Sequence, residues 1–119
     1  MPIILCIETA TKLCSVAVAQ DGKVLASRDL ESDKHVHAEK VNVFVAEVLE
    51  QAGLTLNDLD AVAVGIGPGS YTGLRIGLSA AKGLCFALDI PIIGIICFIQ
   101  FIYFITSLIN FSELEQINE

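Results

Sequence analysis

Residues 61–77 read AVAVGIGPGSYTGLRIG, an apolar run that passes through a glycine-rich turn into a helical pattern. The run Ala61 to Ile66 has no polar alternation, so it cannot be a strand with one wet face. It reads as a strand buried on both sides, as central parallel strands are. A parallel strand needs a crossover of a dozen or more residues to reach its neighbour. The sequence supplies one: a helix from about Leu74 to Leu88, with Leu74, Leu78, Ala81, Cys85 and Leu88 on one stripe. Gly73, Gly77 and Ala80 or Ala81 make another side of that helix small, which permits close approach by a neighbour. Ile90-Pro91 ends the helix, and Ile92 to Ile95 is a candidate fifth strand.

The first sixty residues supply the rest of such a layer. Ile3 to Ile7 is a short apolar run bounded by Pro2 and Glu8. Leu13 to Ala19 and Lys23 to Leu30 flank Gln20-Asp21-Gly22, and Asp-Gly between two strand-like runs signals a hairpin. Val16, Val18, Val24 and Leu25 suit strands with at least one buried face. Val41, Phe44, Val45, Val48, Leu49 and Ala52 then recur at i, i+3, i+4, i+7, i+8 and i+11, the period of a helix. Ser32 or Asp33 can cap its start and Gly53 its end. Thr55-Leu56-Asn57-Asp58 has the pattern of a capping box on a short turn, with Asp58 in place of Glu or Gln. The order βββαβαβ defines an α/β protein with a mixed sheet. At 119 residues and 54% hydrophobic, the chain suffices for one small packed domain and not two.

Charge restricts the partners. The formal net charge is -7, and the seven Lys and Arg are scattered between Lys12 and Lys82. Direct grip on nucleic acid needs clustered cations, so any RNA surface is expected from a partner. Cys6, Cys14, Cys85 and Cys97 have no CxxC spacing and sit among apolar neighbours, as buried reduced thiols of a cytosolic protein do. The opening MPIILCIET lacks the basic start of a signal peptide.

Two segments could carry ligand chemistry. The glycine-rich stretch follows a strand and opens a helix, a common place for phosphate. It is no Walker A loop, lacking Gly-Lys-Ser/Thr, and Ser70 takes the last position of GxGxxG. The structural alternative is that Gly67, Pro68, Gly69 and Gly73 shape a tight turn and let a helix pack closely. Glu8-Thr9-Ala10-Thr11 offers a carboxylate and two hydroxyls that could meet a nucleotide's phosphates, or could simply satisfy the turn's backbone. The candidate cofactor contacts are therefore Glu8, Thr9, Thr11, Gly67, Gly69 and Ser70. His35 and His37 lie two apart and point to nearly opposite faces of a helix; His35 with Glu39 falls short of three protein ligands, so no metal site is expected.

The end of the chain breaks the rhythm. No charge occurs between Asp89 and Glu113, and Ile90 to Phe111 is interrupted only by Pro91, Gly94, Gln100, Thr106, Ser107 and Asn110. By length and composition this qualifies as a membrane span, but no Lys or Arg flanks it and it starts inside an expected core strand. The division expected is a lobe over 1–95 and a divergent apolar tail over 96–119, read as a truncation or frameshift, with a membrane anchor or a core helix as alternatives.

Three segments together resemble one family. ILCIETATKLCSVAVAQDGKVLA resembles the opening hairpin of the TsaB (YeaZ-like) proteins, relatives of the Gcp/TsaD family in the ASKHA superfamily (actin-like ATPase or ribonuclease H-like fold). KHVHAEKVNVFVAEVLEQAGL resembles their first helix, with His37 and Glu39 in a His-x-Glu position. AVAVGIGPGSYTGLRIGLSAAKGLCFALDIPIIGI resembles their central block. The resemblance covers about residues 1 to 95 and the first of two lobes.

That resemblance implies a non-catalytic scaffold for forming N6-threonylcarbamoyladenosine at position 37 of ANN-decoding tRNAs. The implied partners are a TsaD-like catalytic sister and a TsaE-like ATPase, with a homodimer as a further possibility and tRNA met only through the complex. No tightly bound cofactor is implied, ATP entering at the level of the complex, and the location is cytoplasmic rather than membrane-bound. The pairing surface it implies is the two helices, through Glu39, Val43, Phe44, Glu47, Gly73, Leu74, Arg75, Ile76, Gly77, Leu78 and Ala80. Gly73 and Gly77 are expected to let two helices approach. The competing expectation is an enzyme: a small ASKHA-type phosphotransferase or ATPase acting through Glu8, Thr9, Thr11 and the glycine loop.

Overall fold

The structure, a computed structural model, describes residues 2–10, 13–31, 34–67, 69 and 71–95, with the backbone alone for 34–37. Five strands form one sheet: β1 (Ile3–Glu8), β2 (Leu13–Gln20), β3 (Lys23–Glu31), β4 (Ala61–Gly65) and β5 (Ile92–Ile95). Two helices, α1 (Lys34–Ala52) and α2 (Tyr71–Leu88), complete it, with a single 3-10 turn at Leu56–Asp58. The spatial order is β3-β2-β1-β4-β5. The expected βββαβαβ order and mixed sheet are observed.

The first three strands form an antiparallel meander. Ile7 faces Val16, and the β2–β3 turn runs through Asp21 (φ 55) and Gly22 (φ 74). Two successive positive φ values are what a two-residue turn needs to follow the strands' twist. From β1 the sheet continues in parallel: Ile7 is level with Val64, and β5 is parallel to β4. Asp60 locks this register at its start. Its carboxylate accepts from the Ile3 N–H at 2.7 Å while its own N–H donates to the Ile3 carbonyl at 2.8 Å.

Period-two alternation sends Leu5, Ile7, Cys14, Val16, Val18, Val62 and Val64 to one face, where they join Val41, Phe44, Val45, Val48 and Leu49 of α1 in one core. Each fully buried valine or leucine is worth about 1.5–3 kcal/mol. Gly53 (φ 72) releases the chain from α1, and the Thr55 N–H donates to the Asp58 carboxylate at 2.8 Å, as the capping pattern predicts.

Three expectations need correction. Val24 and Leu25 are exposed, because β3 is the edge strand and buries only Ala26. α2 begins at Tyr71, ahead of the expected Leu74; two glycines in its first two turns obscure a helix that packing, not propensity, supports. The stripe of α2 that meets the sheet is Gly73, Gly77, Ala81 and Cys85, while Leu74, Leu78 and Leu88 are only half-buried beside it. The small side of this helix is its inner side. The apolar tail, residues 96–119, lies outside the described residues.

Candidate functional site

β1 and β4 run in parallel side by side, so the turn after β1 and the glycine loop after β4 emerge at the same end of the sheet. That end is where open α/β sheets commonly bind ligands. In the turn, the Ala10 N–H donates to Glu8 Oε1 at 2.8 Å. Thr9 is buried, and its hydroxyl donates to the Gly73 carbonyl in the first turn of α2 at 2.5 Å.

The glycines across from this turn are there because side chains would not fit. A Cβ on Gly69 would stand 2.6 Å from the Cβ and carbonyl oxygen of Ala10. One on Gly77 would stand 2.5 Å from Thr9 Oγ1, and one on Gly73 would collide with the Thr9 carbonyl oxygen. Loop and turn are thus packed directly on one another, with Thr9 seated in the groove that Gly73 and Gly77 leave along α2. The Thr9 hydroxyl satisfies a backbone carbonyl, as the structural reading of this turn expects, and Gly73 and Gly77 admit the β1 turn against α2 within the chain. Thr11 and Ser70 lie outside the described residues. Gly67 is buried beside the Leu74 side chain.

On the outer side, α1 and α2 lie side by side and leave a groove of about 520 Å³. Ala38, Val41 and Asn42 line it from α1; Thr72, Arg75, Ile76, Ser79 and Ala80 line it from α2. Arg75 holds its guanidinium 5.5 Å from the centre of the exposed Tyr71 ring, a cation–π arrangement. Of the residues expected at a pairing surface, Glu39, Val43 and Arg75 are exposed, and Leu74, Ile76, Leu78 and Ala80 are half-buried. Glu47 is tied to Arg28 of β3 at 3.1 Å. Phe44, Gly73 and Gly77 are buried within the chain, the first because it completes the core under α1. The groove also brings in Ala38, Asn42, Thr72 and Ser79, which sequence reasoning missed. Small and polar residues carry no apolar periodicity; their only signal is i, i+3, i+4 spacing on both helices.

The side chains of His35 and His37 lie outside the described residues, and among those described no three His, Cys, Asp or Glu side chains are grouped to hold a metal. Burial pushes the Cys6, Cys14 and Cys85 thiols above their ordinary range, a Val62 backbone hydrogen bond partly offsetting this at Cys85. Cys97 is outside the described residues.

The mixed sheet in the order β3-β2-β1-β4-β5, with β2 antiparallel to its parallel neighbours and helices crossing over one face, is a ribonuclease H-like lobe of the ASKHA type. A family model described as TsaD: tRNA N6-adenosine threonylcarbamoyltransferase matches residues 25–105. The tRNA threonylcarbamoyladenosine biosynthesis protein TsaB of Escherichia coli (strain K12) is 42% identical over 92 residues, which are 77% of this chain and 39% of that protein. A tRNA N6-adenosine threonylcarbamoyltransferase of Clostridium perfringens is 37% identical, over 78% of this chain and 32% of that enzyme. The solved structure of YeaZ from Pseudomonas aeruginosa superposes with a TM-score of 0.76 at 35% identity, covering 81% of this chain and 44% of that one. Thermus thermophilus RuvC in complex with Holliday junction substrate, at 15% identity and a TM-score of 0.54, shares the fold alone. The chain belongs to the TsaB/YeaZ-like family. It spans about two fifths of the length of the TsaB proteins it matches.

Proposed function

We propose that this chain acts in tRNA threonylcarbamoyladenosine biosynthesis as a scaffold rather than a catalyst, docking through α1 and α2 onto a TsaD-like catalytic sister. The complex would form N6-threonylcarbamoyladenosine at position 37 of ANN-decoding tRNAs in the cytoplasm, with a TsaE-like ATPase joining it and ATP entering there. The observation that carries this reading is the groove between α1 and α2. It faces away from the sheet, its walls are apolar at Val41, Ile76 and Ala80, and Asn42, Thr72, Ser79 and the Arg75 cation add polar groups. That is a small apolar centre with a polar rim, the anatomy of a docking surface. Two further features are consistent with it. The net charge of -7 leaves RNA contact to a partner, and Thr9 and Glu8 already serve the fold. Among the described residues no helix is long and apolar enough to cross a membrane.

Co-expression with the TsaD-like sister of the same genome, followed by a sizing column, tests the reading. Co-elution at a stoichiometric ratio is expected. A soluble, folded chain that elutes apart from the sister overturns it.

A further inference from the structure

The outward face of α2 differs in charge from the rest of the chain. The helix holds two cations, Arg75 and Lys82, and no acid, in a chain of net charge -7. Seven residues apart, the two point the same way, and Ser79 and Phe86 fall on the same stripe. All four are exposed, Phe86 at 92%. Gly73, Gly77, Ala81 and Cys85 occupy the other side of the helix, against the sheet.

Neither cation is neutralised by a described residue. The ion pair formed among those residues joins Arg28 to Glu47, on β3 and α1. Arg75 rests instead over the Tyr71 ring, which holds the guanidinium in place without engaging its donors in the plane. Among the described residues lining the α1–α2 groove, Arg75 is the one that ionises. A side chain ordered in advance loses less entropy when a partner binds it.

We propose that this stripe receives an acidic helix of the TsaD-like sister, with carboxylates for Arg75 and Lys82 about two turns apart and apolar surface over Phe86. The proposal rests on the docking reading above and adds the chemistry of the partner. Charge complementarity commits the face to this occupant. Two cations without partners and an uncovered aromatic ring fit an anionic, partly apolar surface and repel a basic one. Arg75 presents a fork of donors that a carboxylate meets with both oxygens. Ser79, between the cations, is small, so the partner's helix approaches closest there.

The experiment is carbodiimide coupling of the chain mixed with the purified sister, read by peptide mass spectrometry. Carbodiimide joins an amine to a carboxylate that already touches it. Lys82 should become linked to an Asp or Glu of the sister. In Arg75→Lys a second link should appear about seven residues from the first, on the same helix of the sister. In parallel, Arg75→Glu with Lys82→Glu should raise the Kd for the sister at least tenfold. A tenfold rise in salt should weaken the parent complex but not that of Arg75→Gln with Lys82→Gln. Binding that ignores both charges overturns this proposal and leaves the docking reading standing. So do Lys82 links confined to a second copy of this chain, whose α1 exposes Glu39 and Glu50. A folded parent that does not bind the sister overturns both. If circular dichroism shows the double glutamate variant unfolded, the coupling result decides.

Discussion

The Thr9 hydroxyl donates to the carbonyl of Gly73, sixty-four positions along the chain, and the two residues are buried together where β1 gives way to its turn. Thr9→Val keeps the shape and removes the donor. It should cost about 1 kcal/mol, or a fall in Tm of about 4–8 °C for a domain of this size. Thr9→Ser should recover most of that. Thermal unfolding followed by circular dichroism is the measurement, and a Val variant as stable as the parent would remove Thr9 from the account.

The glycines of α2 should divide into two kinds. Gly77→Ala places a methyl 2.5 Å from Thr9 Oγ1 and 3.4 Å from a Val64 methyl, and should destabilise by about 1–3 kcal/mol. Gly83 is exposed with nothing within 4 Å of an added Cβ, so Gly83→Ala should stabilise by about 0.5–1 kcal/mol. Urea titration of both variants reads the difference. It follows that Gly77→Leu would test the fold before it tested any pairing.

Pairing is better probed at Ser79, exposed on the groove wall and outside the core. Ser79→Arg should leave stability within about 0.5 kcal/mol and weaken association with the TsaD-like sister by tenfold or more. Unchanged co-elution would move the docking surface away from the α1–α2 groove.

The thiols of Cys6, Cys14 and Cys85 should make stability fall at alkaline pH. Burial raises the folded-state values of Cys6, Cys14 and Cys85, whereas the same thiols ionise from about pH 8.5 in the unfolded chain. Between those values the unfolded state holds fewer protons, so stability is complete below that pH and falls as pH rises through the window. Urea unfolding between pH 7.5 and 9.5 should show the decline, and Cys14→Ala should flatten it. A Cys14→Ala slope identical to the parent's would count against Cys14 as a source.

Much of the fold is written in short spans of sequence. Asp21-Gly22 announces the hairpin, the spacing from Val41 to Ala52 announces α1, and the unbroken run from Ala61 announces a strand with neighbours on both sides. Thr55 and Asp58 are legible because the two partners of the turn are three residues apart. What escaped reading depends on distance or on smallness. Periodicity weighs bulky apolar residues, so it turned Leu74 and Leu78 inward, whereas the helix can approach the sheet only along Gly73 and Gly77. Val24 and Leu25 look like core until the strand order places β3 at an edge. The groove escaped because Ala38, Asn42, Thr72 and Ser79 have neither bulk nor charge. The partner of Thr9 was not legible because nothing local reveals a helix carbonyl sixty-four residues away.

The central place of β1 carries a cost in time. Its antiparallel side can pair as soon as β2 is made, but its parallel side must wait for β4, about 40 residues later. At about 5–20 residues per second, a ribosome leaves that flank bare for about 2–8 s. Throughout that interval a strand reading IILCIE presents an unsatisfied backbone edge to every other nascent chain nearby. The Asp60 carboxylate, which arrives just ahead of β4 and seizes the Ile3 N–H, is the latch that ends the exposure.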